Sequence, residues 1–394
     1  MNRFCKVLLP AVGASVFVWA GLSMADEENL GRDFQLKNRV RLEYDDNIYE
    51  NAVKHGSGKI EDEVEFVYNL DLEQSYVGLR YRPTFVYWMD RPSDSTDLHH
   101  DFDLDINHSF SPRASIALKE SFLYADLPEL MDRGVVVQQQ DNYFYNRVNA
   151  DLTYQVQPET KLGLGGRYTL LRYVNGDISK LDDYDIYAGG ATLRHNISPD
   201  TALLGEARVE NITYTGPNRD STSEYVGGGL EQNFGPDLLG NVRAGLQHKD
   251  FSATGLNAQN QPYADGSLTV LSPSHRSRLT AGAGYSMFES DVFPYANQDR
   301  TLVYISASHD LTAKISLFLS GSYQNSSYKG NQSVDKTTQS KNGSEDVGQL
   351  SARATYKINH NNWLEAGYQY FNLSSDVRSD FDRNRVSIGW RTTL

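Results

Sequence analysis

Residues 34–44 read FQLKNRVRLEY, and apolar and charged side chains alternate along them. Successive side chains of an extended strand point to opposite faces, so one face of this stretch is apolar and the other is charged. The apolar face carries Phe34, Leu36, Val40, Leu42 and Tyr44. The charged face carries Gln35, Lys37, Arg39, Arg41 and Glu43. The pattern predicts a β-strand that separates an apolar environment from a wet one.

Similar alternating stretches recur to the end of the chain. Together with the first, they predict about 18 strands, at 34–44, 62–72, 75–88, 101–110, 114–124, 143–156, 160–173, 184–197, 201–213, 225–234, 238–251, 265–272, 276–287, 300–309, 313–325, 347–358, 362–372 and 383–394. The composition agrees, because 25 Tyr, 16 Phe and 31 Gly with only 39% hydrophobic residues are typical of half-buried, aromatic-rich strands. Glu120 is an exception on the apolar face of its strand, which a β-bulge or a subunit contact would explain.

The connections between these strands alternate in length. Short turns such as Ser198-Pro199-Asp200 and Gly235-Pro236-Asp237 alternate with longer polar loops, for example 45–61, 125–142, 252–264 and 326–346. Hydrocarbon cannot satisfy backbone amides, so strands cross a membrane only as a closed ring. We therefore predict an all-β fold, a transmembrane antiparallel up-and-down β-barrel in the outer membrane, with turns and both termini in the periplasm and loops outside.

The first residues indicate export. Asn2, Arg3 and Lys6 precede an apolar stretch at 7–22, and Ser23-Met24-Ala25 supplies small residues for cleavage. This predicts a signal peptide at 1–25 and a barrel domain at 26–394. The single cysteine, Cys5, lies in the signal peptide, which excludes disulfides and thiolate chemistry from the mature chain. A formal net charge of −14 argues against nucleic acid as a partner.

Sorting the charges by strand face predicts a basic lumen, with roughly twenty basic side chains facing about a dozen acidic ones. The arginines predicted to line it are Arg39, Arg41, Arg80, Arg82, Arg147, Arg167, Arg208, Arg243, Arg278, Arg353, Arg385 and Arg391. Such a lining would concentrate anions, although the arginines could instead only brace the wall through ion pairs. Both readings stay open.

The loop at 125–142 is unusually apolar for a segment in water. Its candidate constriction residues are Leu127, Leu130, Met131, Val135, Val136 and Val137. A loop of this kind must bury its apolar side, either by folding inward to narrow the pore or by packing on a neighbouring subunit. We expect the inward fold.

No enzyme, metal or cofactor motif emerges from the sequence. Asp101, Asp103 and Asp105 lack the glycine and the final glutamate of a calcium loop, and on a strand they would instead pair with Arg80 and Arg82 across the lumen wall. The neighbouring pair at 99–100, two histidines beside aspartates, is best explained as part of a polar loop. We therefore predict no catalytic site.

The first strand ends in EYDDNIYE, residues 43–50. An aromatic-Asp-Asp-Asn-apolar-aromatic run at this place resembles a bacterial family of outer-membrane β-barrel porins, members of which are often encoded with exopolysaccharide synthesis and export genes. The resemblance implies passage of a secreted exopolysaccharide across the outer membrane, and the predicted basic lumen favours an anionic one. The barrel pattern predicts outer-membrane lipid and the barrel assembly machinery as partners, and the export role adds periplasmic polysaccharide export components. The alternatives are a general or anion-selective porin for small solutes and, less favoured, a barrel enzyme or adhesin.

Overall fold

The computed structural model describes residues 33–92, 94–125, 131–132, 135–136, 142–216, 219–253, 255–290, 292–330, 333 and 341–394. The signal peptide predicted at 1–25 lies outside the described residues. Within them, one 18-stranded sheet closes on itself, because the last strand pairs antiparallel with the first. The chain is therefore a closed up-and-down barrel, as the alternating pattern predicts.

Each strand pairs antiparallel with the strands before and after it in sequence. The barrel strands are Phe34–Asp45 (β1), Ser57–Asp71 (β2), Ser75–Trp88 (β3), Thr96–Ser111 (β4), Ala114–Ala125 (β5), Tyr143–Gln157 (β6), Thr160–Tyr173 (β7), Tyr184–Ser198 (β8), Thr201–Tyr214 (β9), Ser221–Gly235 (β10), Leu238–Phe251 (β11), Gln259–Leu271 (β12), Ser277–Glu289 (β13), Asn297–Thr312 (β14), Ile315–Tyr328 (β15), Gly343–Asn359 (β16), Asn362–Ser375 (β17) and Phe381–Thr393 (β18). We call the end of the barrel that carries the short connections the turn end, and the opposite end the loop end.

All predicted strands are present, but several extend further toward the loop end than the sequence pattern indicates. β2 begins at Ser57 rather than 62, β4 at Thr96 rather than 101, and β12 at Gln259 rather than 265. The predicted loops are correspondingly too long. In the extensions, strand pairing continues through backbone hydrogen bonds, while only isolated apolar side chains such as Ile60 and Leu98 mark the outer face.

The outer face of the barrel is apolar and carries two rings of aromatic side chains. Tyr44, Tyr87, Tyr187 and Tyr323 are exposed near the loop end. Phe34, Phe110, Tyr154 and Phe234 are exposed near the turn end. Such paired girdles are typical of barrels whose outer face meets a lipid bilayer.

The described residues contain one α-helix, the short Gly176–Asp182 (α1), in the loop between β7 and β8. The side chain of Asn175 caps it by accepting a hydrogen bond from the backbone nitrogen of Asp177 at 3.0 Å. No helix in the described part of the chain has the length and apolarity to cross a membrane.

Glu120 lies on the outer face without any local irregularity in its strand. It is in register with Leu104 of β4 and Val148 of β6, so a bulge does not explain it. Its carboxylate accepts a hydrogen bond from the side chain of Asn146 at 2.9 Å. The neighbouring strand therefore supplies a polar partner, and the alternative of a subunit contact stays a prediction.

Candidate functional site

The lumen wall is a band of charged side chains. Strand register and burial place all of the predicted arginines on the face opposite the exposed apolar side chains, which in a closed barrel is the lumen face: Arg39, Arg41, Arg80, Arg82, Arg147, Arg167, Arg208, Arg243, Arg278, Arg353, Arg385 and Arg391. They come from strands around the whole circumference. What they do for a solute stays a prediction.

The aspartates of β4 pair across the wall with the preceding strand, as the sequence pattern predicts. Arg80 forms an ion pair with Asp103, and Arg82 forms one with Asp101. On the other side, Lys119 of β5 lies 3.6 Å from Asp105. This ladder of ion pairs is confirmed.

A second set of ion pairs lines the seam where the barrel closes. Arg39 lies 3.3 Å from Glu63 on β2 and 3.1 Å from Glu365 on β17. Glu365 also lies 3.3 Å from Arg391 on β18. The carboxylates thus join β1 to β2 and β17 to β18 from inside the lumen.

The structure adds charges to the lumen face that the sequence assignment missed. Lys59 and Glu61 fell in a predicted loop, yet both lie on the lumen side of β2, and Lys59 is 3.0 Å from Glu43. Asp97 and Asp265 are further lumen carboxylates. Because the strands reach further than predicted, the surplus of basic over acidic groups is smaller than the sequence suggests.

Aromatic rings hold several guanidinium groups in place. Arg208 lies 3.9 Å from the ring centre of Tyr225, and Arg353 lies 5.6 Å from that of Phe318. Tyr263 lies across Gly227, where an added Cβ atom would be only 2.2 Å from the tyrosine oxygen. The hydroxyl of Tyr263 donates to Glu206 at 2.6 Å. Glycine in this strand therefore makes room for a lumen side chain, as expected for barrels.

Toward the loop end, apolar side chains join charged ones on the lumen face. We call this zone the collar; it consists of four clusters, three of which combine lumen-facing strand residues with loop residues and one of which contains strand residues only. Ile48 of the first loop packs on Val86 and Trp88, which share the lumen face of β3 with Arg82. Ile178 of α1 packs on a cluster that includes Tyr143, Tyr145, Leu171, Tyr173, Tyr184, Ile186 and Ile212. These loops therefore fold inward over the lumen.

The loop end of β13 also leans toward the lumen. It does not pair with β12 beyond Tyr285, and instead the side-chain amide of Gln247 on β11 bonds the backbone of Met287. Its Nε2 donates to the Met287 oxygen at 2.9 Å, and its Oε1 accepts from the Met287 nitrogen at 3.2 Å. The buried Lys249 beside it lies 2.7 Å from Glu289. Gln247 therefore replaces a missing strand partner.

Arg219 ties three loops together in this region. It is 6% exposed, and its Nη1 donates to the Leu181 oxygen at 2.8 Å and to the Asp182 carboxylate at 2.6 Å. Its Nη2 donates to the Ser290 oxygen at 3.1 Å. The sequence analysis missed these inward-folded loops, although Ile48, Ile178 and Val292 give them the same apolar character that marked 125–142.

The predicted constriction loop is described only in part. The backbones of Met131–Asp132 and Val135–Val136 pair as a two-residue antiparallel ribbon. The side chains of Leu127, Leu130, Met131, Val135, Val136 and Val137 lie outside the described residues. The inward fold of this loop stays a prediction.

The two adjacent histidines do not form one site. His99 faces the lumen and is in register with Thr84, whereas His100 is on the outer face, where its Nδ1 lies 2.8 Å from the hydroxyl of Tyr81. They lie on opposite sides of β4, because successive strand residues alternate. No group of residues suited to a metal ion occurs within the described ranges.

The EYDDNIYE motif lies at the closure seam, at the loop end of β1. Asp46 accepts from the backbone nitrogen of Asn384 at 2.6 Å and from its side chain at 2.9 Å. Asn47 donates to the backbone oxygen of Asp382 at 2.9 Å. Lys54 lies between the carboxylates of Asp46 and Asp382. The motif therefore fastens the first strand to the last.

Residues 37–394 match the sequence model of the family described as "Putative beta-barrel porin 2". None of the curated proteins matches the sequence significantly.

Solved structures of outer-membrane channels share the fold. OccK1 (OpdK) of Pseudomonas aeruginosa aligns with a TM-score of 0.51 and 12% identity over 92% of this chain and 99% of that chain. OpdK solved with vanillate gives 0.50 and 13% over 92% and 99%. OccAB4 of Acinetobacter baumannii gives 0.50 and 12% over 92% and 99%. At such identities the likeness concerns the fold alone, a closed channel-forming barrel.

Proposed function

This chain belongs to the family described as "Putative beta-barrel porin 2", and we propose that its outer-membrane barrel is a channel for anionic solutes. The arginines on the lumen wall carry this proposal. They are spread over the circumference, and walls of low dielectric constant focus their field into the water between them. An anion inside would meet a basic side chain from whichever side it approached.

The proposed orientation follows from the lengths of the connections. The short turns face the periplasm, and the loops with the collar face the outside. Both ends of the described chain lie at the turn end, since β1 starts there and β18 ends there. Protease added to intact cells should then cut within 326–346 and spare the turn at Pro199.

Ion selectivity tests the proposal directly. Purified protein in a planar bilayer with a salt gradient should show a reversal potential of the sign expected for an anion-selective channel. Reversing the charge of Arg80 and Arg82 together should move the potential toward cation selectivity, because it adds negative charge to the wall. Cation selectivity of the unaltered channel would refute the proposal.

The proposed cargo is an anionic exopolysaccharide on its way out of the cell. The EYDDNIYE motif supports this, through the resemblance to porins encoded beside exopolysaccharide genes. A flexible acidic chain could exchange one arginine for the next, since each exposed contact is weak. Deleting the gene should then remove polysaccharide from the cell surface while synthesis continues.

A small-solute porin is the second candidate, and the collar favours it. Loops that fold inward reduce the cross-section of the channel at one end, which suits short solutes better than a bulky polymer. Swelling of proteoliposomes in uncharged sugars of increasing size separates the two. A cutoff at disaccharides, with normal surface polysaccharide in the deletion strain, would favour the porin.

A further inference from the structure

We propose that Arg147 is the residue at which the lumen first holds the carboxylate of an anionic solute, a hydroxylated acid such as a uronate. This inference rests on the proposed function and places its anion-binding step at one side chain. Its support comes from the position of Arg147, the groups around it and the partners of the neighbouring carboxylates.

Arg147 is the first charged lumen residue of β6 below the collar. Tyr145, the next lumen residue toward the loop end, belongs to an apolar cluster of the collar, and Asn149 follows toward the turn end. In register with Arg147 are Ser121 of β5 and Thr169 of β7. All four neighbouring positions are uncharged, and each carries a hydroxyl or amide group.

In the part of the chain that the structure describes, no acidic group pairs with Arg147. Within the described residues its side chain has no hydrogen bond, ion pair or aromatic contact, and its Nε atom is shielded from solvent without an acceptor. The carboxylates nearby serve other cations, since Asp103 pairs with Arg80 and Glu210 pairs with Arg167. Among the described residues, Arg147 is therefore a lumen cation that is available to an entering anion.

The chemistry of the surroundings defines the ligand. A guanidinium group offers parallel N–H donors that match the two oxygens of a carboxylate. Because no described carboxylate pairs with this guanidinium group, a bound anion would make a charge-assisted contact that the ion-paired arginines already make within the protein. The hydroxyl and amide groups around Arg147 can bond the hydroxyls of a sugar acid, which a simple halide lacks.

Arg278 provides a matched control. It also faces the lumen and makes no ion pair within the described part of the chain, but it is exposed at the turn end of β13. Water satisfies its donors, so it should bind anions weakly. Arg147→Gln and Arg278→Gln remove the same charge from the lumen and differ only in its setting.

The test is the block of single-channel chloride current by added galacturonate, with neutral galactose as the reference. We expect saturable block in the unaltered channel and in Arg278→Gln. In Arg147→Gln the half-blocking concentration should rise by about tenfold, the loss expected for a charge-assisted, two-point contact. Arg147→Lys should recover only part of the block, because an ammonium group cannot make parallel bonds.

The possible outcomes separate this inference from the proposed function. Cation selectivity of the unaltered channel would refute the proposed function itself. Anion selectivity with equal block in Arg147→Gln and the unaltered channel, no block by galacturonate, or equal block by galactose would each overturn the role of Arg147 alone. Each variant is first shown to be folded by its electrophoretic mobility before and after boiling.

Discussion

Asp45 of β1 and Arg383 of β18 form a buried ion pair across the closure seam, although they are 338 positions apart in the sequence. The carboxylate is fully buried and accepts from Nε of Arg383 at 2.9 Å. Arg383 also donates from Nη1 to Glu50 at 2.6 Å. The pair thus links the motif at the end of the first strand to the beginning of the last one.

Removing one member of this pair should weaken barrel closure. Arg383→Met leaves the Asp45 carboxylate buried without its cation, a change that typically costs about 3–5 kcal/mol. We expect the unboiled variant to unfold at a lower temperature, measured by its shift in electrophoretic mobility. Asp177→Asn, which removes an exposed carboxylate, is the control. Equal unfolding temperatures of Arg383→Met and the unaltered protein would contradict a stabilising role of this ion pair.

The seam should also depend on pH through Asp46 and Lys54. Burial alone would raise the pKa of Asp46, but hydrogen bonds from Lys54 and Asn384 outweigh it and hold the pKa below its usual 3.8. Hydrogen bonds to Asp382 and Asp46 raise the pKa of Lys54 to about 12. The Asp46 contribution is present above its unfolded pKa and is lost as the pH falls through the lowered value.

The contribution of Lys54 has the opposite dependence. It is complete below the unfolded pKa near 10.5 and is lost as the pH rises through about 12. Unfolding temperatures should therefore fall below about pH 4, and less steeply in Asp46→Asn. In Lys54→Met, the loss of stability at alkaline pH should disappear. If the unfolding temperature falls equally with decreasing pH in Asp46→Asn and in the unaltered protein, Asp46 does not have this role.

Gly227 should tolerate no side chain. A Cβ atom there would be 2.2 Å from the oxygen of Tyr263 and 2.6 Å from the backbone oxygen of Ala244. Gly227→Ala should cost about 1–3 kcal/mol through overpacking, measured by urea unfolding in detergent or lipid. Gly205→Ala is the control, because nothing lies within 4 Å of its added carbon. Equal losses in both variants would show that backbone freedom, and not space, matters.

Arg219 should hold the inward-folded loops in place at the loop end of the channel. Arg219→Ala removes hydrogen bonds to Leu181, Asp182 and Ser290, each worth about 1.5–3 kcal/mol for a charged donor. The freed loops should raise single-channel conductance and its fluctuations. Lys180→Ala, which removes an exposed ion pair on the same helix, should leave both unchanged. Unaltered conductance in Arg219→Ala would place the narrowest point elsewhere.

Deleting residues 127–137 tests the constriction loop predicted from the sequence. If its apolar side folds into the pore, the deletion should raise conductance. A correctly folded barrel with unchanged conductance would favour packing of this loop on a neighbouring subunit instead.

Alternation over 34–44 and its repeats predicts the barrel because strand faces differ in the solvent they meet. The same rule places Arg80 and Arg82 opposite the β4 aspartates, since register follows from short hairpin turns. It fails where both faces meet water or protein. Ser57 to Glu61 place a single large apolar side chain, Ile60, on the outer face, so the extension of β2 leaves little periodic signal.

The anion site proposed at Arg147 and the inward-folded loops are harder to predict from the sequence than the strands of the barrel wall. That no described residue pairs with Arg147 depends on which carboxylates the wall brings near, and Asp103 and Glu210 pair with Arg80 and Arg167 instead. The inward fold of the loop after β1 depends on Trp88, which is far from Ile48 in sequence. The only sign of such a contact in the sequence is an apolar residue, such as Ile48, within an otherwise polar loop.

The collar and the charged band are two consecutive zones of the lumen, and their linings differ. An ion entering from the loop end passes apolar clusters and charges that already have buried partners, such as Arg383 with Asp45, whereas one entering from the turn end first meets exposed arginines such as Arg278. The barrier is therefore off-centre along the path. A pore of this kind conducts as a rectifier, with more current in one direction than in the other at equal voltage.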